Sequence, residues 1–400
     1  MKILFLSLLN FNSFNEHNIY TDLLRQFINN GHQVFAVVPV ERRYHLKTSV
    51  LNEGQNKILR IKTLNIQKTN ILEKGLATVI VPYQIINKVK KFFKYEQFDL
   101  ILYASPPITF YKAVKSFKKK YNSKTYLMLK DIFPQNAIDL GLLKKRGLKG
   151  IIYKHFKRQE KQLYLISDWI GCMSQANIDY LVSNNSYLNP ARVELCQNST
   201  SYAPKSLDIA EKNEVRAKYS LPVDKKILLY GGNLGKPQNI PFVIECIEAM
   251  KTNDNFFFLI VGSGTDYNLL ENYYANNKSN LLLLKYLDNK DYLELASSCD
   301  FGLLFLDFRF TIPNYPSRLL SYLESSLPII ACTDNCTDIK DILYKYGVGK
   351  WCCSDKPESF CKCLNHLDRL DYSKLQMNIQ KCLKEKFDST LVYNNCFKKI

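Results

Sequence analysis

The sequence has no Asp-x-Asp pair anywhere in its 400 residues. A Mg²⁺ or Mn²⁺ bridge to a diphosphate therefore lacks its usual carboxylates, and no metal is expected. It also lacks any apolar run of the roughly 18–20 residues that a membrane-spanning helix needs. The first residues, Met1-Lys2-Ile3-Leu4-Phe5-Leu6-Ser7-Leu8-Leu9, carry one lysine, a short apolar run and no small-residue cleavage site. They read as a buried parallel strand rather than an export signal, and a cytoplasmic location is expected. Cysteine is absent before Cys172, although 12 follow from there on. Cys332/Cys336, Cys352/Cys353 and Cys361/Cys363 are close pairs, yet no C-x-x-C repeat occurs. His17, His32, His45, His155 and His366 stand far apart. Both facts favour reduced structural thiols over zinc. Dinucleotide fingerprints are missing too. No glycine follows the first strand at Asn10-Phe11-Asn12-Ser13, and Gly262-Ser263-Gly264 has no third glycine. No cofactor is expected.

What is present is a long alternation of apolar strands and helical stretches. Four hundred residues with 46% hydrophobic content suit two globular domains. In the first half, strands are expected at Ile3–Leu9, Val34–Val38, Leu100–Tyr103, Thr125–Leu129, Trp169–Met173 and Val193–Cys196. Helices lie between them, one over Val81–Phe93 with Pro82 in its first turn. The stretch Gln197–Val223 turns polar, with a short helix over Leu207–Tyr219. The pattern then restarts, with strands at Lys226–Tyr230, Phe256–Val261, Leu281–Leu284, Phe301–Phe305, Ile329–Ala331 and Lys350–Cys352. This is an α/β chain of two doubly wound Rossmann-like domains, expected to face a cleft. The expected boundaries are 1–200, a linker at 201–222, a second domain at 223–374, and a C-terminal segment at 375–400.

Several stretches carry candidate chemistry. Pro313 to Glu324 runs from a strand end into a helix, with Pro316 suited to the helix's first position. Ser317 and Arg318 would then place a helix tip and a forked cation where open α/β sheets hold anions. Glu324 falls two turns further on, nearly the same face as Ser317. Such spacing matches a diphosphate at one end of a ligand and hydroxyls further along, as in a nucleoside-diphosphate sugar. Gly231-Gly232-Asn233-Leu234-Gly235-Lys236 follows a strand, and its glycines allow backbone to approach phosphate while Lys236 adds charge. It lacks the G-x-x-x-x-G-K-[ST] order of a triphosphatase. A plain tight turn is the alternative. Asp131, at the end of strand Thr125–Leu129, is a candidate to orient or deprotonate an acceptor hydroxyl, or simply a turn cap. Thr109, after Ser105-Pro106-Pro107, is a candidate sugar contact. Gly141–Lys161 reads as one helical stretch with Lys144, Lys145, Arg146, Lys149, Lys154, Lys157, Arg158 and Lys161 among apolar residues, and Glu160 as its one acid. It is either a membrane-surface contact or a solvated face. The net charge of +18 admits nucleic acid, an anionic membrane or an acidic small substrate as partner.

Taken together, these residues resemble glycosyltransferase family 4, retaining enzymes of the GT-B fold, in the bacterial branch that builds capsule and O-antigen units. Ser105-Pro106-Pro107 with Thr109, and Asp131-Ile132-Phe133-Pro134 with Leu140-Gly141-Leu142-Leu143, resemble its N-terminal pattern. Gly232-Asn233-Leu234-Gly235, Gly262-Ser263-Gly264 and Tyr315-Pro316-Ser317-Arg318-Leu319-Leu320 with Glu324 resemble its donor-binding half. Asp131, Arg318 and Lys236 are the candidate catalytic residues, Asp131 at the acceptor hydroxyl and the two cations at the departing diphosphate. The resemblance implies Gly232, Asn233, Gly235, Gly262, Tyr286, Leu287, Pro316, Ser317, Leu319 and Glu324 around the donor, with the base near Tyr286 and Leu287 and the ribose on Glu324. Two departures are plain. The first acid of the family's E-x₇-E motif falls at Pro316, and the usual Arg and Lys of the glycine-rich loop are Asn233 and Gln238. The expected activity is retaining transfer of a sugar, with an N-acetylated amino sugar among the candidates, from a UDP-linked donor to a lipid-linked or saccharide acceptor. The expected place of work is the inner face of the plasma membrane. No nucleic-acid partner is expected; a basic nucleic-acid-binding protein, and a GT-B epimerase or phosphorylase, are the competing readings.

Overall fold

The computed structural model describes residues 1–66, 69, 71–201, 207–278, 280–398 and 400. The chain divides into two compact units, Met1–Ser201 with Ser389–Ile400, and Tyr202–Asp388. Residues 202–206 of the expected linker lie outside the described residues; its remainder holds the helix Ile209–Lys218, started by a capping box between Asp208 and Glu211.

The first unit is built on eight strands: β1 (Lys2–Leu6), β2 (Gln33–Glu41), β3 (Ser49–Glu53), β4 (Asn56–Thr63), β5 (Leu100–Ser105), β6 (Lys124–Leu129), β7 (Trp169–Cys172) and β8 (Val193–Leu195). Their order is β3-β4-β2-β1-β5-β6-β7-β8. All pairs are parallel except β3 with β4. Helices cover both faces of the central strands, so β1 and β5 are continuous apolar runs, and Leu100 to Tyr103 are wholly buried. The β3–β4 hairpin was not foreseen. It turns on Gly54 at φ +60°, between the paired residues Glu53 and Asn56.

The helix expected to begin at Val81 begins ten residues earlier and runs Ile71–Phe92, with Pro82 inside it. Proline has no N–H for the carbonyl four residues back. That carbonyl, on Thr78, instead accepts the Thr109 hydroxyl at 2.8 Å. Thr109 is therefore a buried structural partner of the proline break, not a sugar contact. The helical stretch expected over Gly141–Lys161 is shifted: the helix is Gly147–Ile166, with Gly141 before it and Gly147 at its first position both at positive φ.

The C-terminal segment that joins this unit starts at Ser389 rather than Leu375. Tyr393 and Phe397 pack their rings against Phe27, and Phe397 also against Tyr126. Leu375 instead lies in the core of the second unit, which holds the preceding helix Tyr372–Cys382.

The second unit has six strands, β9 (Lys226–Asn233), β10 (Phe256–Ser263), β11 (Leu281–Leu284), β12 (Phe301–Phe305), β13 (Ile329–Thr333) and β14 (Gly349–Cys353). They pair in parallel in the order β11-β10-β9-β12-β13-β14. Chain order runs outward one way from β9 and the other way from β12. The topological switch point therefore lies between β9 and β12, where open α/β sheets form a crevice at their carboxyl edge.

Candidate functional site

Among the loops that leave the carboxyl edge of the second sheet are residues 234–239 after β9, 264–266 after β10, 285–288 after β11 and 306–317 after β12. The two that flank the switch point meet. Arg318, the first residue of the helix Arg318–Glu324, lays its guanidinium over the ring of Tyr230, with Cζ 4.4 Å from the centroid. The same group lies against Gly232. A Cβ on Gly232 would sit 2.3 Å from Arg318 Nη2, and the φ of +128° is one that other residues rarely adopt.

Two further tyrosines complete this setting. Tyr322 follows Arg318 by four residues and so shares its helix face. Its hydroxyl accepts from Gly231 N–H at 3.0 Å and donates to Leu303 C=O at 2.8 Å, tying β9 to β12. Burial pushes the Tyr322 hydroxyl up to about 12, which keeps it neutral near pH 7. Tyr292 closes over Gly231, where a Cβ would lie 2.1 Å from its hydroxyl. The glycines are thus required by close approach: Gly262 passes Gly232 C=O, and Gly264 passes Leu234 C=O, with room for no side chain.

The turn entering this helix is rich in idle polar atoms. Asn314 Nδ2, Tyr315 Oη and Arg318 Nη1 are buried and have no hydrogen-bond partner. Buried polar groups are normally satisfied; the idle Arg318 nitrogen belongs to the tyrosine setting above, whereas the Tyr315 hydroxyl lies by Asp338 and Cys382. An idle guanidinium N–H suits a multiply charged anion.

Other expected residues fall in different places. Pro316 and Ser317 precede the helix, and Pro316 C=O accepts from Leu319 N–H at 3.2 Å. Leu319 turns into the core, so neither its side chain nor its N–H is open to a ligand. Glu324 is buried in the last helical turn. The helix then closes by two reverse bonds, Ser326 N–H to Leu323 C=O and Leu327 N–H to Tyr322 C=O, around Ser326 at φ +58°. Lys236 is exposed and pairs with the buried Asp266 at 3.3 Å. Asn233 and Gln238 engage each other: Asn233 Nδ2 donates to Gln238 Oε1 at 2.7 Å, and Gly235 N–H donates to the same oxygen at 3.3 Å. Tyr286 and Leu287 lie after β11, with Tyr286 72% exposed.

Asp131 belongs to the first unit, just beyond β6. Burial pushes its carboxyl up to about 6, against the lowering effect of the Ile132 N–H and the Asn136 amide, which donates at 2.8 Å. A carboxylate poised there exchanges protons near neutral pH. Two idle buried atoms accompany it, Asn136 Oδ1 and, at the adjacent strand end, Ser105 Oγ. His17 Nδ1 lies 2.9 Å from the buried Asp22, which also accepts from Thr200 Oγ and Ser201 N–H.

The tyrosine setting of Arg318 escaped the sequence reading. Tyr322 was legible at four residues from Arg318, and Tyr230 as the last side chain before two glycines. Tyr292 carries no local signal.

No family model matches this chain. It is 22% identical over 314 residues to a probable glycosyltransferase, WbjE, of Pseudomonas aeruginosa, covering 77% of this chain and 75% of that one. Among solved structures it superposes on the sucrose-phosphate synthase of Thermosynechococcus elongatus with a TM-score of 0.72 at 13% identity, over 100% of this chain and 98% of that one. It superposes on Anabaena HepE in complex with UDP with a TM-score of 0.65 at 11% identity, over 100% and 99% of the two chains. The chain therefore shares the GT-B architecture of two Rossmann-like, parallel-sheet domains.

Proposed function

We propose that this chain is a glycosyltransferase that moves a sugar from a nucleotide donor, UDP-linked, to a lipid-linked acceptor in surface polysaccharide synthesis, with retention at the anomeric carbon. The observation that carries the reading is the Arg318 guanidinium, seated on Tyr230 and against Gly232 at the sheet's switch point with one buried nitrogen idle. Arg318 takes the diphosphate, and as the leaving group departs its growing charge falls on a cation already held in place by Tyr230. Lys236 supports it after releasing Asp266. Tyr286 and Leu287 receive the base, and Glu324 the ribose. Asp131 orients the acceptor hydroxyl, with the idle Ser105 and Asn136 atoms as its neighbours. The matched relative's name and the UDP complex of the structural neighbour support this donor class.

The test is incubation with labelled UDP-sugars and a polyprenyl-diphosphate sugar. Transfer that disappears in Arg318→Ala, together with UDP binding, is the expected result. Donor turnover with no acceptor would favour an epimerase. A chain that neither binds UDP nor turns over any donor would overturn the proposal.

A further inference from the structure

We propose that the first unit docks on an anionic lipid surface by inserting apolar side chains from two helices, so that charge assists the contact but does not make it. The idea extends the lipid-acceptor reading above and stands on separate observations. In the first turns of helix Gly147–Ile166, Leu148 is 84% exposed, Ile151 67% and Ile152 48%, with Leu142 51% exposed just before. Single exposed apolar side chains are ordinary; four within eleven residues are a patch. Lys144, Lys145, Arg146, Lys149 and Lys154 surround them, all exposed. No carboxylate occurs between Asp139 and Glu160, and Glu160 is buried and paired with Lys157.

The second leg is on helix Ile71–Phe92. Leu76, Val79 and Tyr83 are each at least half exposed and follow the i, i+3, i+7 spacing of one helical face. Lys112 caps Tyr83, 3.0 Å from its hydroxyl. Both helices pack on the same short turn, Ile108–Phe110, after β5. The two helices that bear these side chains thus meet at one turn on the carboxyl edge of the first sheet, the edge that carries Asp131.

The charge pattern selects the occupant. A second copy of the chain would bring five cations against five, and a neutral surface would leave them unused. An anionic bilayer satisfies both features: headgroups meet the lysines while leucine and isoleucine enter the acyl boundary. An enzyme docked this way presents Asp131's edge to an acceptor held in the membrane.

The experiment uses the full chain with vesicles of phosphatidylcholine containing phosphatidylglycerol, and with pure phosphatidylcholine. The expected result is co-sedimentation with the anionic vesicles that survives high salt in part. The triple variant Leu148→Ser, Ile151→Ser, Ile152→Ser should bind about 100-fold more weakly, on the scale of withdrawing three branched side chains from the acyl region, and its remaining binding should vanish with salt. Leu76→Ser with Val79→Ser should weaken binding by a smaller factor. These side chains are exposed, so melting temperature and UDP binding should not change. Wild-type protein that salt releases completely, a triple variant that binds as well as wild type, or concentration-dependent dimerisation lost in the triple variant would each overturn the inference. Failure of the transferase reading alone would show as vesicle binding without donor turnover.

Discussion

Replacing Gly232 by alanine tests the donor site more sharply than replacing any charged residue, because the added atom is small and its neighbour is known. The new Cβ would lie 2.3 Å from Arg318 Nη2 and 2.7 Å from its Cζ, closer than any real contact. The backbone at φ +128° is itself strained for alanine, by about 1–3 kcal/mol. The guanidinium has to move, which forfeits its seat on Tyr230, about 2 kcal/mol for a desolvated cation–π pair. What the ligand loses is the hydrogen bonds of a pre-placed cation, roughly 1.5–3 kcal/mol, or a weakening of about 10- to 150-fold in UDP affinity. Calorimetric titration of UDP into wild type, Gly232→Ala, Arg318→Ala and the double variant reads this directly. The two losses should not add, since both remove the same contact. A folded Gly232→Ala protein with wild-type UDP affinity, or fully additive losses, would refute the claim that this arginine is held for the diphosphate.

Other outcomes follow from the same geometry. Tyr230→Phe keeps the ring under Arg318 and should bind UDP nearly as wild type, whereas Tyr230→Leu should weaken binding by about tenfold, a contrast that titration will show. Tyr322→Phe leaves the Gly231 N–H without its partner, costing about 1–3 kcal/mol and a lowered melting temperature. Asp131 has its carboxyl raised to about 6, so transfer that needs the carboxylate should fall as pH drops through that value; a flat profile between pH 5 and 7 would contradict the assigned role. The sign for stability is opposite. A folded-state value above the unfolded one means that the unfolded state ionises first, so ionisation of Asp131 opposes folding as pH rises. Asp131→Asn should therefore abolish transfer while raising stability above pH 6 by roughly 1–3 kcal/mol, measurable by denaturant unfolding.

The parallel strands were legible because strands covered on both faces must be apolar without interruption, as Leu100–Tyr103 and Ile227–Tyr230 are. Loops were legible where glycine clusters followed such runs. The β3–β4 hairpin was not, since an edge strand buries only part of its length and Ser49–Glu53 is largely polar. Pro82 misled because proline usually opens helices; here Thr109, distant in sequence, takes up the carbonyl that the proline strands. Lys236 was read as adding charge to the glycine-rich loop, and only the fold brings Asp266 beside it.

Local sequence thus determined which segments are strands and helices, where the glycines must be, and that Arg318 follows a strand end, because these depend on near-neighbour sterics and on whether a segment is buried. Tertiary structure alone decided what Arg318 rests on. The stacking of Tyr230 from β9, the bridge by Tyr322 and the cover from Tyr292 need strands that are far apart in the chain to lie side by side. No short-range pattern encodes that adjacency; it arises when parallel strands pair and the order of strand addition reverses between β9 and β12.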